Sequence, residues 1–98
     1  MDRIFNINNI LAFVTIAREG SVSRAAEVLN LTQPAISHQI KRLSEETEIT
    51  LFSRSATGLK ITPDGSALLE KAEHVLHAMA EFRRHASQRV GHVSGKLK

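Results

Sequence analysis

The chain begins with apolar positions that recur every three or four residues, the spacing of an amphipathic helix. The pattern predicts a first helix from residue 7 to about residue 18. Asn6 is a suitable N-cap for it, and Gly20 is a suitable stop. Its apolar stripe consists of Ile7, Ile10, Phe13, Val14 and Ala17.

Two further helices are expected next, and very few residues separate them. Ser23 is the expected cap of a short second helix over 24–29, and Thr32 is the expected cap of a third helix over about 33–46. Only two residues lie between the second helix and the cap of the third. Such a short connection suits the sharply angled pair of a helix-turn-helix, because an antiparallel pair would need a loop of its own.

After the third helix the period of the pattern changes. Residues 51–54 and 59–62 predict two short strands that are joined across 55–58. Thr62 and Pro63 then combine an N-cap with the residue favoured at the first helical position, which predicts the start of a long fourth helix. The expected fold is therefore mainly α: a winged helix-turn-helix with a two-stranded wing over 1–62, followed by a long C-terminal helix.

The fourth helix carries two apolar stripes. Along one of them, spacings of four and three alternate strictly, which is typical of a seam between two helices packed at a shallow angle. This seam consists of Leu68, Ala72, Val75, Met79, Phe82 and Ala86. Leu69 and Leu76 form the second stripe and are expected to face the core of the domain. We therefore expect residues 63–88 to pair two copies of the chain in a homodimer, and residues 89–98, with two glycines, to form a flexible linker.

Composition and charge narrow the class of protein. The 98 residues leave room for one small domain, and the absence of cysteine excludes disulfides, thiol catalysis and cysteine zinc sites. No apolar run approaches the ~20 residues of a membrane span, and the N-terminus lacks a signal-peptide core, so we expect a cytoplasmic protein without a membrane partner. The formal net charge is +3. The basic excess lies in the second half of the chain and suits a polyanionic partner.

The outward side of the third helix carries the candidate binding residues. With Ile36, Ile40 and Leu43 facing inward, the side chains on and beside the opposite face are Gln33, Pro34, Ser37, His38, Lys41 and Arg42. One α-helix fits the major groove of DNA, where glutamine, serine and basic side chains can match the donors and acceptors of base edges. Gln33 could pair with an adenine, and Lys41 and Arg42 could reach guanine edges or phosphates. An ordinary solvated helix face is the alternative for this pattern alone.

Other polar groups flank this face. Arg54, at the end of the first strand, is expected on a phosphate or in the minor groove. Arg24 could clamp a phosphate beside Ser23, and the helix that starts after Thr32 directs free backbone N–H groups toward an anion. Either arginine could instead pair with a local carboxylate, an interaction worth ~0–1 kcal/mol.

The ordered motifs resemble the N-terminal region of LysR-type transcriptional regulators. The resemblance rests on SVSRAA at 21–26, LTQPAIS at 31–37, QIKRL at 39–43, LFSR at 51–54 and LKITPDG at 59–65. It implies sequence-specific binding of double-stranded DNA at an inverted-repeat operator by a dimer, with a linker helix that dimerises. It also implies an absent C-terminal effector-binding domain, through which alone a small-molecule effector would act, and leaves a tetramer open for the full-length protein. The chain departs from the family pattern at His38 and Thr57, where arginine is frequent, and at Ser44, where glutamate is frequent.

Two rival classes remain open from the sequence. One is a helical dimeric protein-interaction module without sequence-specific DNA binding. The other is a small enzyme or a metal-binding protein, suggested by His74 and His77 at a spacing of three. No third histidine falls in register, and the chain has neither a G-x-S-x-G turn nor a glycine-rich phosphate loop. We therefore expect no metal, no cofactor, no catalytic residue and no enzymatic activity.

Overall fold

Four helices and a two-stranded antiparallel sheet form the structure. The computed structural model describes the backbone of residues 5–97 and the side chains of residues 5–88. The elements are α1 (Ile7–Glu19), α2 (Val22–Leu29), α3 (Gln33–Thr47), β1 (Phe52–Ser55), β2 (Gly58–Ile61) and α4 (Pro63–Leu97). The prediction of a mainly α winged helix-turn-helix followed by a long helix is confirmed.

Side-chain caps begin the first and third helices where the sequence predicts them. The side chain of Asn6 accepts a hydrogen bond from the Asn8 N–H at 2.8 Å, and Thr32 Oγ1 accepts one from the Ala35 N–H at 3.2 Å. The backbone leaves α1 and α2 through left-handed residues, Gly20 at φ 80° and Asn30 at φ 58°. These local signals separate three helices within 41 residues, from Ile7 to Thr47.

The cap of α2 is Ser21, so the prediction of Ser23 is wrong. Ser21 has the extended backbone that an N-cap requires, and its Oγ accepts a hydrogen bond from the Arg24 N–H at 2.9 Å. Helix α2 therefore starts at Val22, which places Ser23 inside its first turn. The helix starts earlier than predicted because of Gly20. Its left-handed backbone ends α1 and lets the next residue, Ser21, take the extended conformation of an N-cap.

Helix α1 lies at the centre of the core and contributes to both of its clusters. The first cluster contains Ala12, Ile16, Ala25, Ala26 and Ile36, and joins α1, α2 and α3. The second contains Phe13, Val14, Leu43, Leu51 and Ala72, and joins α1 to the end of α3 and to α4. Phe13 also contacts Phe52 of the wing edge to face, with ring centroids 5.6 Å apart. The packing of α1 thus fixes α3 and the wing relative to one another.

The wing is a hairpin whose register decides which residues face α3. Its strands are shifted by one residue from the prediction, and Arg54 pairs with Leu59 while Ser53 pairs with Lys60. Because side chains alternate along a strand, Arg54 and Leu59 share the face of Phe52, which packs on the core. Lys60 lies on the opposite, outer face.

Helix α4 begins as predicted and extends further than predicted. Thr62 Oγ1 accepts a hydrogen bond from the Gly65 N–H at 2.9 Å and donates to the Thr50 carbonyl, which anchors the start of the helix. The backbone stays helical to Leu97, through most of the segment 89–98 that is expected to be a flexible linker. Two glycines cost a helix about 1 kcal/mol each, too little to end a helix that is already formed. Lys98 lies outside the described residues.

The structure divides the predicted dimer seam of α4. Ala72 is 6% exposed and, with the half-buried Leu68, packs in the second cluster of the same chain. The domain itself therefore covers much of this part of the seam, and contact of these two residues with a partner stays a prediction. Val75, Met79 and Phe82, further along, are 42%, 45% and 72% exposed. The apolar residues of the seam are therefore covered near the start of α4 and exposed further along, because only the first turns of α4 pack on the rest of the domain. No helix within the described residues is long and apolar enough to span a bilayer.

Candidate nucleic-acid interface

Helix α3 turns one face into the core and the opposite face outward. Ile36 and Leu43 are 0% and 3% exposed, and Ile40 is half-buried between the two clusters. The first turn of α3 is held by the Thr32 cap, so the Thr32 hydroxyl is already engaged with the backbone. All ten side chains predicted to contact DNA are exposed: Ser23, Arg24, Thr32, Gln33, Pro34, Ser37, His38, Lys41, Arg42 and Arg54. Their role in binding remains a prediction.

A groove between α3 and the wing brings three of these candidates together. Ser37 and Lys41 from α3 and Arg54 from β1 line this groove, whose volume is about 340 Å³. Leu59 and Phe52 of the wing also line it. The strand register explains this arrangement, since Arg54 lies on the wing face that is directed toward the core and α3. The outward face of α3 and the wing therefore form one continuous surface.

The cations of this surface are free to bind an anion. Among the side chains of residues 5–88, Lys41, Arg42 and Arg54 form no salt bridge. Each is exposed, so a phosphate can approach it without displacing a carboxylate partner. This electrostatic arrangement favours a polyanion at the α3 and wing surface.

Arg24 has a different environment from Arg54. Its Nη2 lies 3.5 Å from Glu19 Oε1, so the local carboxylate that sequence reasoning left open is present. The Arg24 side chain is 66% exposed, and a pair this open contributes at most about 1 kcal/mol. Ser23 is exposed beside it and does not cap the helix. These two residues lie at the start of α2, apart from the residues that line the groove.

Sequence reasoning missed two charged residues of this region. Glu45 lines the groove and lies one helical turn beyond Lys41, so it brings a negative charge to the binding surface. Lys60 is exposed on the outer face of the wing and forms no salt bridge within the described side chains. For Glu45, the signal in the sequence was its position four residues after Lys41, on the same side of the helix. For Lys60, the signal was the alternation of side chains along a strand, which places Lys60 on the outer face of the wing once the strand register is known.

One histidine of α4, His77, lies beside a carboxylate that an arginine also approaches. His77 Nε2 lies 3.4 Å from Glu81 Oε2, and Arg84 Nη2 lies 3.8 Å from the same oxygen. Within the part of the chain that the structure describes, no three histidine, aspartate or glutamate side chains are grouped so that they could hold a metal ion.

Known proteins are similar to this chain in sequence and in fold. The family model described as bacterial regulatory helix-turn-helix protein, lysR family, matches residues 7–66. An uncharacterized HTH-type transcriptional regulator from the ibpB-leuC intergenic region of Azotobacter vinelandii is 37% identical over 92 residues, which cover 94% of this chain and 64% of that protein. The HTH-type transcriptional regulator GltR of Bacillus subtilis is 38% identical over 78 residues, covering 80% of this chain and 26% of its own length.

A solved protein–DNA complex has the same fold. The BenM DNA-binding domain in complex with catB site 1 DNA superposes with a TM-score of 0.81 at 28% identity. The similarity covers 87% of this chain and 96% of that one, and it therefore includes the helix-turn-helix, the wing and part of α4.

Proposed function

The chain belongs to the LysR family of bacterial helix-turn-helix regulators and forms the DNA-binding domain of that family, and from this premise we propose that it binds an inverted-repeat operator as a homodimer. The resemblance of the motifs to this family is thereby confirmed. In the proposed complex α3 enters the major groove, where Gln33, Ser37 and His38 meet base edges. Arg54 of the wing meets the phosphate backbone or the adjoining minor groove.

One observation carries the DNA-binding mode: a single exposed surface unites Ser37, Lys41 and Arg54, and its cations have no salt-bridge partner among the described side chains. A major groove is about 12 Å wide and admits one helix, while the flanking phosphates lie on either side of it. A helix with a basic arginine beside it, on a neighbouring hairpin, matches that geometry. Phosphate contacts then set the orientation of the domain, and the side chains of α3 read the sequence.

The dimer is proposed from the middle of α4. Val75, Met79 and Phe82 are large apolar residues that the domain itself leaves exposed. Met79 borders a groove together with Leu11 and Leu76, so the apolar surface continues onto α1. A second copy related by a two-fold axis buries the same residues on both chains. Two recognition helices held in this way require half-sites that are separated by whole helical turns, about 34 Å or a multiple of it.

The curated relatives are longer than this chain, which spans 64% and 26% of the two described above. We infer that the intact regulator is cytoplasmic and has no enzymatic activity. A small-molecule effector is expected to act through a further domain, and the full-length protein could assemble as a tetramer.

The test is a binding titration against duplexes that the chain selects from a randomised pool, followed by footprinting of the selected site. We expect a symmetric footprint and an affinity that falls steeply with salt. Arg54→Gln should weaken all duplexes alike and reduce the slope of log affinity against log salt by about 0.9 per protomer. Gln33→Ala should cost ~1–3 kcal/mol at one base position.

Lys71→Gln on α4 removes one exposed cation away from this surface and is the matched control for Arg54→Gln. It should leave the salt slope unchanged. Binding without salt dependence, or an asymmetric site that Arg54→Gln does not affect, would contradict the proposal and favour a protein-interaction module.

A further inference from the structure

His38 is the titratable side chain at the middle of the outward face of α3. It is exposed, and the buried residues Ile36 and Leu43 lie on the other side of the helix. Residues three and four positions apart on a helix are neighbours. The nearest charged residues of α3 are therefore Lys41 and Arg42, both cationic, while Glu45 is two turns away. His38 thus stands among the side chains that are proposed to contact DNA.

Among the side chains of residues 5–88, no carboxylate lies within salt-bridge distance of His38. The charged residues of the elements that pack on α3 from α1, α2 and the wing are Arg18, Glu19, Arg24, Glu27, Arg54 and Lys60. Helix α4 packs against α3 at Leu43, on the side away from His38, and its charged residue there is Lys71. Glu19 is already paired with Arg24, and Arg54 is a further cation in the groove beside α3.

We propose that His38 is a pH-dependent DNA contact, which takes up a proton when the domain binds and strengthens binding as the pH falls. The proposal rests on the proposed function. A neutral imidazole offers one donor and no charge, whereas an imidazolium offers two donors and a positive charge. The acceptor is a phosphate oxygen or the O6 and N7 edge of a guanine, both of which suit a cationic donor.

The direction of the pH dependence follows from thermodynamic linkage between protonation of His38 and binding of DNA. The negative potential of the duplex stabilises the imidazolium relative to the neutral imidazole. The complex therefore binds the His38 proton more tightly than the free domain does, and affinity rises with falling pH. Histidine ordinarily changes charge between about pH 5 and 8, so the effect falls in the neutral range. Linkage limits it to one proton per protomer, that is, about tenfold per pH unit for each His38.

The experiment is a fluorescence anisotropy titration of the full chain with a labelled duplex pool of randomised sequence, at about pH 6 and about pH 8. The parent chain should bind roughly threefold to tenfold more tightly at the lower pH. Its slope of log affinity against log salt should also be steeper there, by about 0.9 for each protomer. His38→Arg should bind tightly with the steep slope at both pH values. His38→Gln should show the weaker binding and the shallower slope at both.

His74→Gln is the matched control, since it removes an exposed histidine on α4, away from the binding surface. It should retain the pH dependence of the parent. If His38→Gln binds DNA with the pH dependence of the parent, the proposal for His38 is overturned while DNA binding itself stands. If neither the parent nor His38→Arg binds the pool at either pH, the proposed function fails and the proposal fails with it.

Discussion

Gly65 lies where the first turn of α4 passes closest to the segment that leads into the wing, and replacing it by alanine should destabilise the protein. A Cβ at this position would lie well inside contact distance of the Leu51 carbonyl oxygen, 3.0 Å from Thr62 Oγ1 and 3.1 Å from Ile61 Cγ1. The obstructing oxygen belongs to the backbone, and it accepts a hydrogen bond from the Thr62 N–H at 3.0 Å. It cannot move aside without weakening that bond.

The expected change in the free energy of unfolding is the sum of three contributions. Alanine gains about 1 kcal/mol over glycine in helix propensity. Overpacking costs about 1–3 kcal/mol, and loss of the hydrogen bond from the Thr62 N–H to the Leu51 carbonyl costs about 0.5–1.5 kcal/mol more. We therefore expect Gly65→Ala to lower the free energy of unfolding by roughly 1–3 kcal/mol. The φ angle of Gly65 is not positive, so backbone strain adds nothing to this sum.

Urea unfolding followed by circular dichroism at 222 nm measures this difference, with the protein concentration held constant because a dimer gains apparent stability with concentration. Ser66→Ala is the control, since Ser66 is the next residue of α4 and is exposed. It should change stability by less than about 0.5 kcal/mol. If Gly65→Ala were as stable as the parent or more stable, the close approach of α4 to Leu51 would not exist as described.

Three further perturbations test the caps, the seam and the groove. Ser21→Ala should cost about 1 kcal/mol of unfolding free energy, whereas Ser23→Ala should cost almost nothing; equal costs in chemical denaturation would contradict the assignment of the α2 cap. Met79→Glu should give monomers in analytical ultracentrifugation, because two copies of the new charge would meet in the proposed seam; an unchanged dimer would rule out that seam. Glu45→Gln should raise the affinity for DNA severalfold in a titration, since it removes a negative charge from the groove, and an unchanged affinity would place Glu45 outside the contact surface.

Local signals predicted most of the fold. The caps at Asn6, Thr32 and Thr62 depend only on hydroxyl or amide side chains beside an apolar pattern, and each makes the expected hydrogen bond. The cap of α2 was predicted at Ser23, but Ser21 makes the capping hydrogen bond. Its position is decided by how the chain leaves Gly20, which is a property of the backbone path.

Periodicity could not show which partner covers each stripe of α4. The spacing of Leu68 and Ala72 continues without interruption to Val75 and Met79, so the sequence contains no sign of a boundary. The boundary between the covered and the exposed part of this stripe exists only in the folded chain, at the point where α4 leaves the rest of the domain.

The candidate site could be predicted from the sequence only in part, for the same reason. Helical spacing predicted that the face of α3 is exposed, whereas the entry of Glu45 into the groove depends on where the wing lies.

The edge-to-face contact between Phe13 and Phe52 gives the interior of the domain an influence on what the surface can recognise. Phe52 and Arg54 extend from the same side of β1, so this aromatic pair is one of the contacts that set the position of Arg54 relative to α3. In the proposed complex, a replacement at Phe13 that repacks without unfolding would therefore change where Arg54 meets the duplex. Selectivity among operators would then depend also on a residue inside the domain, out of reach of any nucleotide.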